Sequence, residues 1–241
     1  MAERLDKTLA GLGMVVSRSQ AESYIRLGKV KVAGNVVKKA GYMVSDPSLV
    51  TLDVAQQYVS RAGMKLESVA EQFGVDFAGK IVLDVGSSTG GFTDYSLRHG
   101  AQLVYAVEVG TDQLHPSLRG NPQIELHEQT DIRNFTPTDK PDIVVIDVSF
   151  ISLREILPHV AKISGPGTTI LAMVKPQFEA KASSLKHKGV IKNDRMRRDI
   201  LKDFELWAKD RFVIIDKADS AIAGEKGNLE RFYVLKPTKK S

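Results

Sequence analysis

Residues 81–92 read IVLDVGSSTGGF, an apolar run that ends in an acidic residue and leads into a glycine-rich turn. The run is typical of a buried strand that reaches the edge of a parallel sheet at Asp84. Ligands of open α/β sheets bind beyond the carboxyl ends of the strands, and glycines let a ligand approach the backbone closely. The stretch therefore predicts a ligand-binding turn that connects a strand to a helix.

Similar apolar runs follow along the chain, and segments with a helical spacing of apolar residues separate them. Three of these runs lead into Glu108, Asp147 and Lys175, and two more occupy residues 212–215 and 232–235. Alternation of strands and helices favours an α/β fold with a mostly parallel, doubly wound sheet and helices on both faces. The polar strand ends are therefore expected at one edge of the sheet.

The first 53 residues show a different pattern, that of a small α+β unit. A short helix precedes a second one, for which residues 19–22 fit a capping box and Gly28 fits the end. Residues 29–32 alternate lysine and valine, as a half-buried strand does. The pair Gly34-Asn35 predicts the turn to the next strand.

The change of pattern divides the chain. Its 241 residues suit a large domain with a small one, at about 100–200 residues per domain. We expect the small domain at residues 1–53, a connector at residues 54–62 and the large domain at residues 63–241. The first helix of the large domain is expected at residues 64–73.

The positive charge of the chain is concentrated in its first 40 residues. They contain eight lysines and arginines and three acidic residues, so their net charge of +5 equals that of the whole chain. A basic unit attached to a neutral body indicates an anionic partner, with RNA or DNA as the first choice. A solvated surface without a partner would show the same composition.

The composition excludes several classes of protein. Hydrophobic residues make up 42% and charged residues 26% of the chain, which is ordinary for a folded domain and argues against disorder. Cysteine is absent, which excludes disulfides and cysteine-ligated zinc and favours a reducing, cytoplasmic location. No apolar stretch approaches the roughly 18 residues of a membrane helix, and no secretory signal is visible. We therefore expect no membrane association, and the scattered histidines predict no metal site.

The glycine-rich turn indicates which ligand binds. It lacks the G-x-G-x-x-G spacing of dinucleotide-binding loops and resembles the first motif of S-adenosylmethionine-dependent methyltransferases. This cofactor has no phosphate, and its methionine end carries an amine and a sulfonium, so an acidic residue suits it. Glu108 can accept hydrogen bonds from both ribose hydroxyls, although it also fits a plain polar strand end. The predicted cofactor-binding residues are Asp84, Gly86, Ser88, Gly90, Gly91, Glu108, Asp131 and Ile132, the last two beside the adenine.

Two lysines and two carboxylates are placed where a transfer reaction could occur. They are Lys65, Asp147, Lys175 and Glu230. Methyl transfer to a hydroxyl needs alignment and a proton acceptor. A lysine partly removed from water beside a sulfonium can be neutral and accept that proton, so Lys175 is the candidate base. Taken singly, each residue also fits a structural role: Asp147 could cap a helix and Lys65 could lie on the surface.

Five segments together resemble one family. The chain is similar to the TlyA family of ribosomal RNA ribose 2′-O-methyltransferases, whose catalytic domain resembles the FtsJ/RrmJ methyltransferases. The matching segments are residues 58–66, 84–94, 147–152, 174–179 and 227–230. The resemblance implies a Rossmann-like methyltransferase domain, S-adenosylmethionine as cofactor, and a Lys65–Asp147–Lys175–Glu230 tetrad. It also implies ribosomal RNA or ribosomal subunits as partner, with a cytidine as the target.

The small domain resembles the alpha-L RNA-binding motif, on Arg4-Leu5-Asp6, Ser17-Arg18, Gly28 and Gly34. Basic residues of this unit, joined by others in the large domain, are the expected RNA contacts. They are Arg4, Arg18, Lys29, Lys31, Lys38, Arg61, Lys186, Lys188 and Arg195. The chain departs from the family pattern at three places: Glu108 stands where Asp is usual, Asp131 stands where Asn is common, and residues 224–228 lack the usual Pro.

Three functions remain open at this point. The leading hypothesis is an enzyme that methylates the ribose of ribosomal RNA. A second is a non-catalytic RNA-binding or ribosome-assembly factor that retains the fold, against which the complete tetrad argues. A third is a cytolysin, because members of the family often carry a haemolysin label; the absence of any stretch long enough to span a membrane argues against it.

Overall fold

The computed structural model describes residues 2–15, 17–53, 58–180, 190–191, 193–224 and 227–238. The N-terminal unit, here called the head, contains two helices and two small antiparallel sheets. In chain order its elements are β1 (Glu3–Arg4), α1 (Leu5–Gly11), α2 (Arg18–Arg26), β2 (Val30–Val32), β3 (Asn35–Val36), β4 (Met43–Val44) and β5 (Val50–Leu52). Leu5, Leu9 and Ile25 are completely buried in the head's core. The predicted small α+β unit is therefore present.

Two local predictions in the head are wrong by one or two residues. Helix α2 is capped by Ser17, whose hydroxyl accepts a hydrogen bond from the Gln20 amide at 3.2 Å, and not by the box at residues 19–22. The earlier start lets Arg18 reach the buried Asp6, with 2.7 Å between the charged atoms. The hairpin turn lies at Ala33-Gly34, since Val32 pairs with Asn35. Both turn residues have positive φ, as a two-residue hairpin turn requires.

The large unit, here called the body, is built on a seven-stranded sheet. Its elements are α3 (Arg61–Ala70), β6 (Ile81–Val85), α4 (Gly91–Arg98), β7 (Leu103–Val107), β8 (Ile124–His127), β9 (Ile143–Ile146), α5 (Leu153–Ile163), β10 (Thr169–Val174), α6 (Pro176–Glu179), α7 (Asp194–Lys209), β11 (Phe212–Asp219) and β12 (Arg231–Pro237). The strand order is β11-β12-β10-β9-β6-β7-β8. β12 runs antiparallel to both of its neighbours, β10 and β11, and the other four pairings are parallel, so the predicted mostly parallel α/β sheet is confirmed.

Helices cover both faces of this sheet. On one face, α5 and α7 pack against residues such as Leu83 and Val144; on the other, α3 and α4 pack against Val82 and Val145. Successive strand residues point to opposite faces, so a strand buried on both faces must be apolar at every position. This requirement explains the continuous apolar runs of the sequence.

Helix α3 begins three residues earlier than predicted, so Arg61 and Ala62 are helical although the sequence placed them in the connector. The helix joins the body to the head. Its Met64, together with Ile222 from the loop after β11, belongs to the same buried cluster as the head's core. None of the described helices has both the length and the apolar composition needed to cross a membrane.

Candidate active site

The site lies at the edge of the sheet where β6, β7, β9 and β10 end. Gly86 follows β6 with a φ of 80°, a conformation that favours glycine. A Cβ at this position would lie 2.9 Å from the backbone oxygen of Asp147, so only glycine lets the loops after β6 and β9 approach this closely. The strand ends thus meet around a shared space, as the sequence predicted.

Two adjoining cavities occupy this space. The larger has a volume of about 490 Å³, and the smaller has a volume of about 140 Å³. Gly86, Ser88, Asp147 and Ser149 line both. The two cavities therefore share a wall formed by the loops after β6 and β9.

Glu108, at the end of β7, shapes the larger cavity. It is 92% buried, and its two carboxylate oxygens accept hydrogen bonds from the backbone amides of Ser88 (2.9 Å) and Gly110 (2.8 Å). One side chain thereby holds the loops after β6 and β7. A carboxylate offers about four lone-pair sites, so each oxygen can accept a further hydrogen bond from a ligand hydroxyl.

Asp84 lies on the smaller cavity and is completely buried. Its Oδ2 accepts a hydrogen bond from the Thr93 hydroxyl at 2.7 Å, whereas its Oδ1 has no hydrogen-bond partner among the described residues. Burial, with smaller contributions from the charges of Asp147 and Glu108, raises the pKa of Asp84 to about 7. An unpaired buried carboxylate oxygen is costly unless a ligand supplies a donor. The position therefore fits a cationic or hydrogen-bond-donating ligand.

Two of the predicted cofactor residues, Gly90 and Gly91, are required by packing, and their contact with a cofactor stays a prediction. Gly90 and Gly91 line neither cavity. A Cβ on Gly90 would lie 2.5 Å from the Leu118 side chain, and one on Gly91 would lie 2.7 Å from Ala62. These glycines let the start of α4 pack closely against neighbouring side chains. From sequence alone, a glycine required by such packing cannot be distinguished from one required by a ligand.

Asp131 and Ile132 line the larger cavity, where the sequence placed the adenine. The carboxylate of Asp131 is already engaged: it pairs with Arg133 at 2.6 Å and caps the Arg133 amide at 2.9 Å. Hydrogen bonds from Arg133 lower the pKa of Asp131. Ile132 offers an apolar wall. Contact of either residue with adenine stays a prediction.

The predicted tetrad forms two ion pairs. Lys175 Nζ lies 2.6 Å from the Asp147 carboxylate, and Lys65 Nζ lies 2.6 Å from that of Glu230. Strand β10 lies between β9 and β12, and its Val174 pairs with Arg231. The next residues, Lys175 and Glu230, therefore stand at the same end of the sheet. The antiparallel β12 thus brings Glu230, the most distant member of the tetrad, to the sheet end where Lys175 lies, although neither Lys65 nor Glu230 lines the two cavities.

The sequence motifs gave no role to Ser149 and Phe150, which the structure places at the site. Ser149 accepts a hydrogen bond from Lys175 Nζ at 2.8 Å. Phe150 is 84% exposed on the rim of the larger cavity, with its ring centroid 5.2 Å from that of Phe178. Phe150 and Ser88 both have positive φ, and such strained residues cluster at functional sites. Both Ser149 and Phe150 lie in the segment 147–152, one of the five that carry the family resemblance, so the sequence could have indicated them.

The predicted RNA contacts differ in their surroundings. In the head, Asp6 holds the guanidinium groups of Arg4 and Arg18 at 2.9 and 2.7 Å. Lys38 is exposed, whereas Lys31 lies 3.4 Å from the Asp53 carboxylate. Contact of these residues with RNA stays a prediction.

Others lie at or beyond the junction of head and body. Lys29 pairs with Glu67 of α3 at 3.2 Å, and Arg61 donates to the Ala223 backbone oxygen at 2.8 Å. Arg195 is exposed at the start of α7. Lys186 and Lys188 lie outside the described residues. Lys29 thus helps to join the head to the body, whereas Arg61 joins α3 to the loop after β11 within the body.

Comparison with known proteins finds matches to both units. The FtsJ-like methyltransferase model matches residues 58–237, and the S4 domain model matches residues 3–49. The 16S/23S rRNA (cytidine-2'-O)-methyltransferase TlyA of Mycobacterium tuberculosis is 36% identical over 239 residues, covering 97% of this chain and 89% of that protein. Hemolysin A of Brachyspira hyodysenteriae is 38% identical over 232 residues, covering 94% and 97%.

A solved structure is similar over almost the whole chain. It is that of a Streptococcus thermophilus protein with a hemolysin name, with a TM-score of 0.72 and 36% identity. The match covers 99% of this chain and 89% of that chain. These findings confirm the resemblance that the five sequence segments indicated.

Proposed function

Because the chain belongs to the FtsJ-like methyltransferase family and carries an S4 domain, we propose that it transfers a methyl group from S-adenosylmethionine to a ribose 2′-hydroxyl of ribosomal RNA. The observation that carries this proposal is the pair of adjoining cavities. They share Asp147 and Ser149, the two partners of Lys175, and the smaller one contains the unpaired oxygen of Asp84. One cavity suits a nucleoside, and the other suits a charged amino-acid end.

The residues present fit the cofactor. Glu108 would hold the ribose hydroxyls in the larger cavity, with Ile132 against the adenine. Asp84 would accept a hydrogen bond from the amine of the methionine end, which would compensate the burial of its carboxylate. The bound cofactor supplies an electrophilic methyl group. The remaining requirements of the reaction are alignment of the acceptor hydroxyl and removal of its proton.

Lys175 is assigned the removal of that proton. It lines the smaller cavity and contacts two residues of the shared wall, Asp147 at 2.6 Å and Ser149 at 2.8 Å. Two partners fix the position of Nζ, so the acceptor hydroxyl meets a base of defined geometry. In this role Lys175 Nζ accepts the proton of the hydroxyl through its lone pair.

Lys65 and Glu230 are assigned the orientation of the acceptor ribose. Both are buried, and their ion pair joins α3 to the start of β12. A buried pair keeps a fixed geometry because breaking it would leave an uncompensated charge. Its hydrogen-bonding atoms can therefore position a ribose without moving.

Ribosomal RNA is proposed as substrate on two grounds. The basic head, an S4 domain by its match, suits phosphate contacts, which position an RNA without reading its bases. The Mycobacterium tuberculosis relative is named for ribosomal RNA and for cytidine. We extend the substrate and the target nucleoside of this relative to this chain. The proposed acceptor is a cytidine in the ribosomal RNA of a ribosomal subunit, and the proposed location is the cytoplasm.

The test is transfer of a labelled methyl group from S-adenosylmethionine to purified ribosomal subunits and to free ribosomal RNA. Wild type should label the RNA. Lys175→Ala should lose roughly 10²–10⁴-fold in rate while it still binds the cofactor. Lys162→Ala, which removes an exposed lysine from α5, is the matched control and should stay active. A wild-type protein that binds the cofactor and RNA but labels nothing would favour the non-catalytic RNA-binding factor.

A further inference from the structure

Arg197 differs from the other basic residues around it. The sequence groups it with Arg195 and Arg198 in a basic cluster that spans residues 181–202. On α7, Arg195 and Arg198 are exposed, whereas Arg197 is 91% buried. An arginine is rarely buried to this extent unless partners satisfy its donors. Its position therefore indicates a role inside the protein and not on an RNA-binding surface.

The partners of Arg197 flank Glu230. Its Nε donates to the backbone oxygen of Leu229 at 3.0 Å, and its guanidinium pairs with the carboxylate of Asp219. Asp219 also accepts a hydrogen bond from Arg231 Nε at 2.7 Å. Glu230 is thus fixed through the residue before it and the residue after it.

The cluster of Arg197, Asp219 and Arg231 keeps its charges. Burial raises the pKa of Asp219, but hydrogen bonds and charges from Arg231 and Arg197 outweigh it, so the pKa is lowered overall. The carboxylate therefore stays ionised and bridges α7, β11 and β12. Arg197 resists displacement because, without Asp219, its guanidinium would be a buried charge that lacks its ionic partner.

The side chain of Glu230 has little room for displacement. A Cβ on Gly224 would lie 2.6 Å from Glu230 Oε1, and the backbone oxygen of Glu230 accepts a hydrogen bond from the Ser220 amide at 3.0 Å. The other carboxylate oxygen lies 2.6 Å from Lys65 Nζ. A shift of the chain at Leu229 would therefore move Glu230 relative to Lys65.

We propose that Arg197 is a positioning residue for Glu230. From α7 it fixes the backbone at Leu229 and, through Asp219, the side chain of Arg231. It thereby keeps the Lys65–Glu230 pair in its position relative to the active site. The proposal rests on the proposed methyltransferase function for its readout. A misplacement of about 1 Å by a residue away from the chemistry can cost on the order of 100-fold in rate. Loss of Arg197 should thus lower kcat by roughly 10–100-fold.

The experiment compares Arg197→Met with Arg198→Met, which removes the same charge from the neighbouring, exposed position of α7. For each protein, kcat and KM for ribosomal RNA and Kd for S-adenosylmethionine are measured, with a thermal melt. Arg197→Met should lower kcat and leave both the RNA KM and the cofactor Kd within about twofold of wild type. Arg198→Met should leave kcat unchanged. Arg197→Lys can keep only part of the hydrogen bonds of Arg197, so its kcat should lie between those of wild type and Arg197→Met.

Two results would overturn the proposal. One is an Arg197→Met protein that melts like wild type and keeps its kcat. The other is an equal rise in the RNA KM for both methionine variants without loss of kcat, which would make Arg197 part of an RNA surface. If Arg197→Met does not fold, Arg197→Lys and Asp219→Asn decide in the same way, by loss or retention of kcat. An inactive wild type would instead contradict the proposed function.

Discussion

Asp84 combines complete burial, an unpaired oxygen and a pKa raised to about 7, and so links cofactor binding to pH. In the unfolded chain an aspartate titrates near its ordinary value of about 4. Between these two values the folded state binds more protons than the unfolded state. Stability contributed by this group is therefore present at low pH and is lost as the pH rises towards 7.

We expect Asp84→Asn to weaken this pH dependence. Without cofactor, raising the pH from about 5 to about 8 should lower the melting temperature of wild type more than that of Asp84→Asn. The reason is that only wild type must ionise a buried carboxyl group. Cofactor should stabilise wild type and have little effect on the variant. Thermal melts at both pH values, with and without S-adenosylmethionine, measure this. Parallel pH profiles for the two proteins would show that Asp84 does not titrate as described.

Asp6 is, like Asp84, a completely buried aspartate, but it lies in the head and its pKa is shifted in the opposite direction. It is completely buried, and hydrogen bonds and charges from Arg4 and Arg18 outweigh its burial and lower its pKa to about 2. The carboxylate thereby holds two half-exposed guanidinium groups in fixed positions. Fixed arginines lose less entropy when they bind a phosphate.

Asp6→Asn should therefore weaken RNA binding, although it removes a negative charge from a surface that binds an anion. We expect a loss of roughly 1 kcal/mol, about fivefold in Kd. Glu22→Gln removes a half-exposed acidic side chain from the same unit, and should bind RNA as tightly as wild type or more tightly. Titration of ribosomal RNA at constant salt measures both variants. Equal strengthening by the two substitutions would mean that charge alone governs binding.

At the scale of elements, the loops after β9 and β10 are tied together at three points. Lys175 contacts Asp147 and Ser149, and the Phe150 and Phe178 rings pack together. The third point is Glu179, which accepts hydrogen bonds from the Ser152 hydroxyl and the Leu153 amide, both at 2.7 Å. Glu179 thus caps α5 from the end of the short helix α6.

Glu179→Ala should destabilise the protein and lower activity together. It leaves the Leu153 amide at the start of α5 without its acceptor, which costs about 1–3 kcal/mol when the group is buried. The two loops that hold Lys175 and Asp147 should then separate more easily. Urea unfolding and kcat measure the two effects. Glu155→Ala, which removes an exposed acid from the first turn of α5, should change the unfolding free energy by less than about 0.5 kcal/mol.

The same elements show what sequence can predict. The order of strands and their polar ends follows from apolar runs and strand–helix alternation, so Asp84, Glu108 and Asp147 were placed correctly on the cavities. The pairing of Lys65 with Glu230 could not be predicted from local pattern, because it depends on β12 running antiparallel beside β10. The start of α2 was missed because two serines offer similar caps, and packing of the helix chooses between them.

At the scale of the whole molecule, the head and the body are not independent. Met64 and Ile222 of the body are buried in the cluster that forms the head's core. Lys29 and Glu67 form an ion pair across the junction. Being partly exposed, this pair contributes at most about 1 kcal/mol, so burial of the two apolar side chains is the larger effect.

Removal of residues 1–53 should leave a body that binds S-adenosylmethionine but melts at a lower temperature, because it exposes Met64 and Ile222. Its RNA affinity should fall. The slope of the logarithm of the binding constant against the logarithm of the salt concentration should become shallower by about 0.7–0.9 for each RNA phosphate that the protein no longer neutralises. Lys38→Gln with Lys39→Gln in the full chain changes only exposed side chains, and should also reduce the salt slope without lowering the melting temperature. An unchanged slope in both proteins would exclude the head from RNA binding.

The proposed function requires that the acceptor atom is a ribose 2′-oxygen. The most direct measurement is mass spectrometry of the nucleosides released from ribosomal RNA after reaction with the protein and S-adenosylmethionine. We expect 2′-O-methylcytidine with wild type and none with Lys175→Ala. A methyl group on a base, or 2′-O-methylcytidine formed equally well by Lys175→Ala, would contradict it.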